Sequence, residues 1–268
     1  PNLGSGRASV VGSKRSPVSR RSFLAHLMPN QNTPLMEQPT KLNREKEDLK
    51  EPLPEWTKDD LKDVALYGSK ISPPCCKIRT ILNHYGVKFS QIEGPKKDSE
   101  YKKVPVLMLN GRQVNDSFIM VKELAKILDG KALTPELIEV EETFTFGAMI
   151  SLEADVADSC SDLCGCAGLL GGCLGCLLGT FSCCIACGVN IRKGKPELKD
   201  TTTYGAMLSE KLKGKKFFHG DEPGIVDVSL FGAMLPFAEA KTKALEGFLD
   251  AGMREWHEAI SEIVQQKV

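Results

Sequence analysis

The sequence predicts an α/β unit followed by an all-helical unit, and three observations predict it. Residues 64–128 alternate short apolar runs and helical patterns in the order βαβ–ββα. From Thr134 onward every periodic segment reads as helix. One of those segments, 163–191, is a Gly- and Cys-rich run with no charged residue until Arg192.

The elements follow from local chemistry. Val64–Tyr67 is a short apolar run and predicts a strand. Pro73 and Pro74 mark a turn, and a helix is expected from about Cys75 to Tyr85. Phe89–Ile92 reads as a second strand. Val106–Leu109 and Arg112–Val114 flank Asn110-Gly111, a dipeptide whose tolerance of positive φ makes it a strong hairpin signal. A helix follows over Ser117–Leu128. Thr134 is placed to cap a further helix, with Pro135 in its first turn. Helices are expected near Tyr204–Leu212, Val226–Ala240 and Leu245–Val268.

The apolar run is long enough to cross a bilayer, for which about 20 apolar residues suffice. On a helix, Gly168, Gly171, Gly172, Gly175 and Gly179 fall on one stripe. Cys166, Cys173, Cys176, Cys183, Cys184 and Cys187 fall on a second, and leucines fill the remainder. Glycine in a water-exposed helix costs about 1 kcal/mol relative to Ala. In lipid the same stripe lets another backbone approach closely. The run is therefore expected to be a membrane-embedded helix with its glycine side to a partner. A buried central helix of the helical unit is the other reading.

Composition narrows the function classes. Lys plus Arg and Asp plus Glu each number 35 in a chain of 268 residues, so net charge makes no case for nucleic acid. Eight of the ten cysteines lie between Cys160 and Cys187. Such clustering argues against a disulfide framework, which ties distant segments. Cys173/Cys176 and Cys184/Cys187 have CxxC spacing, but they sit in a continuous apolar run without a nearby histidine. Cysteine as a small apolar residue is the better reading, and no metal site is assigned. His26, His84, His219 and His257 are scattered and receive no ligand role.

Residues 1–36 carry Arg7, Lys14, Arg15, Arg20 and Arg21, recurrent serines and no acid before Glu37. An Arg- and Ser-rich, acid-free leader reads as an organelle transit segment, against the plainer reading of a basic tail. Residues 37–58 are charged and proline-spaced and read as a linker without a core. The expected division is then 1–36, 37–58, an α/β domain over 59–132 and a helical domain over 133–268.

A βαβ–ββα unit before a helical half resembles a thioredoxin-like domain joined to the all-α domain of a glutathione S-transferase. The resemblance is closer to one branch, the type-2 membrane-associated prostaglandin E synthases. It is carried by Leu66-Tyr67, Cys75-Cys76-Lys77-Ile78-Arg79, Tyr101-Lys102-Lys103-Val104-Pro105-Val106-Leu107 and Asn115-Asp116-Ser117. The Gly-rich run and the Gly224–Gly232 stretch before Trp256 add to it, so that it spans roughly residues 60–268. The resemblance implies a cis bond before Pro105, the Val104 backbone exposed for pairing with glutathione, and Asp116-Ser117 holding the γ-glutamyl end. A structural turn at Pro105 and a helix cap at Asp116-Ser117 are the plainer alternatives. The family pattern Cys-Pro-Phe-Cys is replaced by Ser72-Pro73-Pro74-Cys75, so the leading thiol is missing. Cys75 is left as a candidate reactive thiol, and Ser72 marks the degenerate position. Asp227 is expected to return to the N–H of Gly224 as half of a capping pair. Haem is implied by the resemblance alone.

Two functions follow as expectations. The first is a catalytically degenerate, transferase-fold accessory subunit of a mitochondrial inner-membrane complex. Gly168, Gly171, Gly175 and Gly179 would dock it to membrane partners in the bilayer. The second is a membrane-associated, glutathione-dependent isomerase or transferase using Val104, Pro105, Asp116, Ser117 and Cys75. A monothiol iron–sulfur carrier fits less well, since Lys70 only loosely matches the lysine that such sites place before the thiol.

Overall fold

A four-stranded sheet of order β2-β1-β3-β4 and a layer of helices around one long buried helix make up the structure, a computed structural model. It describes residues 49, 51–156 and 197–265, all within the unit Arg44–Val268.

Strand β1 is Val64–Tyr67, β2 Ser90–Ile92, β3 Val106–Leu109 and β4 Arg112–Asn115. β1 runs parallel to β2 and antiparallel to β3, and β3 is antiparallel to β4. The β3–β4 turn uses Asn110 and Gly111 at φ 48° and 82°, the positive-φ pair that a tight hairpin demands. The Asn110 side chain also accepts from the Lys62 and Asp63 N–H groups at 2.9 and 3.0 Å. Helix α1, Pro73–His84, joins β1 to β2. It begins two residues earlier than the sequence reading because its first turn is Pro73-Pro74, where a missing N–H costs nothing. Helix α2 is Ser117–Leu128, with Asp116 accepting from Phe118 N–H at 2.9 Å.

Helix α3, Pro135–Thr143, is capped by Thr134 and passes through a π-turn, Phe144–Ala148, into helix over 149–156. The remaining helices are α4 Thr201–Leu212, α5 Ile225–Glu239, α6 Lys243–Phe248 and α7 Arg254–Gln265. Helix α5 is buried on nearly all sides from Ile225 to Met234, as a central helix must be. Helix α7 buries Trp256, Ile260 and Val264, one stripe at four-residue spacing. One continuous helix from Leu245 does not form. A π-turn over Leu249–Met253, with Gly252 at φ 108°, separates α6 from α7. The Asp227 half of the capping pair is observed: Asp227 accepts from Gly224 N–H at 3.2 Å, from Phe218 N–H at 2.9 Å and from the Trp256 indole at 2.8 Å.

Leu53 and Trp56 pack against the core. The end of the charged linker therefore contributes apolar contacts, which its proline spacing concealed. The leader and the 163–191 run, with Gly168, Gly171, Gly175 and Gly179, lie outside the described residues. Among the described residues no helix is long and apolar enough to cross a membrane.

The two halves meet along α1 and α5. Gly232 makes room for this approach, since a β-carbon there would lie 2.6 Å from Cβ of Thr80. Beside this contact Lys77 and Glu141, both fully buried, form an ion pair. Lys77 Nζ donates to Thr145 Oγ1 at 2.6 Å, Thr145 donates to Glu141 at 3.0 Å, and Ser229 donates to the other Glu141 oxygen at 2.8 Å. Removing one member of such a pair strands a buried charge. Lys77→Met is therefore expected to lower the unfolding free energy by about 3–5 kcal/mol, read from a guanidinium titration. The double variant Lys77→Met/Glu141→Leu is expected to regain most of that loss. A single variant as stable as the parent contradicts the arrangement.

Candidate functional site

The register of the sheet determines which loops can share a site. Tyr67, at the end of β1, pairs with Val106, at the start of β3. Val106 in turn pairs with Asn115, at the end of β4. The segments that continue from these residues therefore emerge at one end of the sheet. They are Gly68–Ser72, Val104-Pro105 and Asp116-Ser117. Gly68 lies against both Cys75 and Val104, which ties two of these segments together.

Each sequence candidate takes a definite place there. The Val104–Pro105 bond is cis. Pro105 is buried and Val104 partly exposed. Among the described residues the Val104 main chain makes no backbone hydrogen bond. Asp116 holds φ 68°, a conformation that side-chain-bearing residues adopt only when their surroundings enforce it. Its carboxylate caps α2. Ser117 is a buried residue at the start of α2, and its hydroxyl is not among the buried polar atoms left without a partner. At the other helix start, the Ser72 carbonyl accepts from Cys75 and Cys76 N–H at 2.9 and 2.8 Å. The Ser72 side chain caps nothing in its own helix. Because Pro73 and Pro74 carry no N–H and the next two are taken by Ser72, the donor left at this helix start is the Ser72 hydroxyl, which lies beside the Cys75 sulfur.

Cys75 is fully buried, and burial pushes its thiol up despite the Ser72 hydroxyl and Ser69 backbone beside the sulfur. Cys76 is buried as well. Burial pushes its thiol up although the Arg79 guanidinium lies 3.1 Å from the sulfur. Neither is a thiolate near neutral pH, and both are free rather than disulfide-bonded. The surroundings of Cys75 thus oppose the reactive role that its place at a helix start suggests. Ser117 was legible from its place after Asn115-Asp116. The burial of Cys75 was not, because it depends on the close approach of Gly68 to the thiol. These loops hold no histidine. Among the described residues no cluster of His, Cys, Asp and Glu could hold a metal ion.

Comparison with known proteins agrees with this geometry. Residues 66–132 match the family model for the glutathione S-transferase N-terminal domain. A probable glutathione S-transferase of Nicotiana tabacum is 26% identical over 178 residues, which is 63% of this chain and 69% of the relative. Prostaglandin E synthase 2 of Danio rerio is 37% identical over 79 residues, covering 27% of this chain and 21% of that protein. Among solved structures, a glutathione S-transferase of Xanthobacter autotrophicus superposes with a TM-score of 0.51 at 16% identity. That superposition covers 74% of this chain and 93% of the other. The chain is a transferase-like protein with a thioredoxin-like sheet and a helical second half, and its similarity to prostaglandin E synthase 2 is partial and distant.

The thiols supply a test. Each folded value lies above the unfolded one, about 8.5. The neutral thiols therefore favour the folded state below that pH, and the contribution fades as pH climbs through the raised folded values. Peptide mass spectrometry after native treatment with iodoacetamide at pH 8 is expected to find Cys75 and Cys76 unmodified. Both are expected to be modified after denaturation. Rapid native alkylation of Cys75 contradicts its burial.

Proposed function

We propose that this protein is a glutathione-dependent transferase or isomerase in which glutathione brings the reacting thiol and Ser72 orients it. The observation that carries the reading is the convergence, at one sheet end, of two helix starts and the unpaired Val104 main chain. Glutathione itself supplies the nucleophilic sulfur. Val104 offers an N–H and a carbonyl to the tripeptide backbone, as an edge strand offers them to a partner. The Ser117 hydroxyl and the first turn of α2 suit the γ-glutamyl carboxylate, because a helix start favours an anion. Asp116 adds a negative charge beside the γ-glutamyl ammonium. The Ser72 hydroxyl donates to the sulfur and favours its thiolate form, since hydrogen bonds to charged groups are the stronger ones. Serine here is a donor, so it needs no adjacent base. Cys75 is a packed residue in this scheme.

The similarity to transferases favours this reading over an accessory subunit of a respiratory complex, for which the comparisons give no support. Residence at the mitochondrial inner membrane, with lipid and membrane-complex partners, is a companion proposal. It rests on residues 1–36 and 163–191. Sedimentation with carbonate-washed mitochondrial membranes supports it, and recovery in the wash overturns it.

The enzyme reading is tested by calorimetric titration with glutathione and by a conjugation assay with an aromatic halide. Saturable binding is expected. Ser72→Ala is expected to lower turnover about 10- to 100-fold, the worth of one hydrogen bond to a charged group. Cys75→Ser is expected to change turnover little. Absence of saturable binding removes the proposal. A Cys75→Ser variant that is dead while folded transfers the chemistry to the thiol.

A further inference from the structure

The start of α5 is held by side chains from three segments. The first N–H groups of a helix have no partner in the helix itself. Gly224 N–H donates to Asp227, within α5, at 3.2 Å. Ile225 N–H donates to Asp129, at the end of α2, at 3.4 Å. Val226 N–H donates to Nε2 of His219, in the segment before α5, at 3.4 Å. Val226 is the second residue of the helix, and its N–H is one that a cap serine or threonine hydroxyl ordinarily serves. The cap residue here is Gly224, which has no side chain to offer. A β-carbon at Gly224 would run into the His219 ring. The imidazole thus fills the space of the missing cap side chain and makes its bond.

An imidazole accepts at Nε2 only while neutral, with its proton on Nδ1. A protonated ring donates at both nitrogens and sets a positive charge at the positive end of the helix dipole. The two carboxylates that face His219 are already engaged. Asp227 also accepts from Phe218 N–H and the Trp256 indole, and Asp129 from the Tyr85 hydroxyl at 2.5 Å. Lys131, beyond the end of α2, faces the ring with a positive charge. Around the cleft that His219 lines, Glu139 is paired with Lys211 and Glu136 is bound to the first turn of α3, while Lys215 adds a further cation. Asp221 and Glu222, next along the chain, are exposed and screened by water. Burial pushes the His219 value down, against the pull of Asp227 and Asp129.

We propose that His219 is a proton-released cap on the central helix: neutral, it fastens the α5 start to the segment before it, and protonated, it lets go. The device reaches beyond α5, because Asp129 ties the same start to α1 through Tyr85 and Asp227 ties it to α7 through Trp256. It is independent of what binds at the sheet end. The folded value lies below the unfolded one, about 6.5. The contribution of the neutral ring is therefore complete above that pH and is lost as pH falls through the folded value.

Guanidinium titrations of the full chain at about pH 7.5 and about pH 5.5, on either side of the ordinary histidine value, test the proposal. At the higher pH, His219→Ala is expected to raise the unfolding equilibrium constant roughly five- to thirtyfold, the worth of a helix cap. Gly224→Ser alone is expected to destabilise too, because the ring stands where its side chain must go. Together the two changes are expected to offset one another, the serine hydroxyl taking the Val226 N–H. The double variant is expected to lose less stability on acidification than the parent. What loss remains belongs to groups such as His257, which burial also lowers. In the parent at about pH 7.5, nitrogen chemical shifts of the His219 ring are expected to place its proton on Nδ1. The proposal is overturned by a His219→Ala variant as stable as the parent, by a double variant no more stable than His219→Ala, by equal acid loss in parent and double variant, or by a ring proton on Nε2.

Discussion

The buried pair of Lys77 and Glu141 is the constraint on which the rest of the structure depends. Lys77 belongs to α1, the helix whose first turn carries Ser72 and Cys75. Glu141 belongs to α3, and its remaining partners Thr145 and Ser229 come from the π-turn and from α5. All four side chains are buried. Taking an ammonium and a carboxylate out of water is costly unless they meet with their other lone pairs and protons satisfied. Here they do. A register shift of α1 against α5 would bury the same charges without that match. The pair thus adds little net stability but discriminates strongly among packings of the sheet half on the helical half.

The π-turn makes the arrangement achievable. Phe144–Ala148 widens the helix by one residue per turn, and such bulges recur where a side chain must be re-aimed. Thr145 can then face both its own helix, at Glu141, and α1, at Lys77. Gly232 completes the contact by letting α5 approach Thr80 and the Lys77 backbone. Asp227 plays the matching role within the helical half. It receives three donors and fixes the start of α5 against Phe218 and Trp256. The site at the sheet end is held by this frame, because Ser72 is rigid only to the extent that α1 is.

Local chemistry made much of this legible from the residues. Asn110-Gly111 announced its hairpin, Asp116 and Leu128 bounded α2, and Asp227 announced its cap. What stayed hidden depends on contacts between distant segments. Nothing in Pro-Glu-Leu-Ile-Glu-Val-Glu-Glu-Thr distinguishes Glu141 from its exposed neighbours, since the distinction comes from Lys77 across the interface. Gly252 reads as one glycine in a helical pattern, yet its φ of 108° and its closeness to Ser209 divide that pattern into α6 and α7. Leu53 and Trp56 were concealed among prolines and charges. Cys75 looked reactive because it follows two prolines at a helix start, and only the folded chain shows it fully buried against Gly68.

The central claim is that one end of the sheet remains a working thiol-peptide cradle although its leading cysteine is serine. Amide chemical-shift mapping of the isotope-labelled protein during a titration with glutathione tests it most directly. The account predicts saturable shifts confined to Gly68–Ser72, Val104 and Ser117-Phe118, with the Lys131–Leu137 region silent. Shifts that stay absent at saturating glutathione, or that gather at the far end of α2, would contradict it.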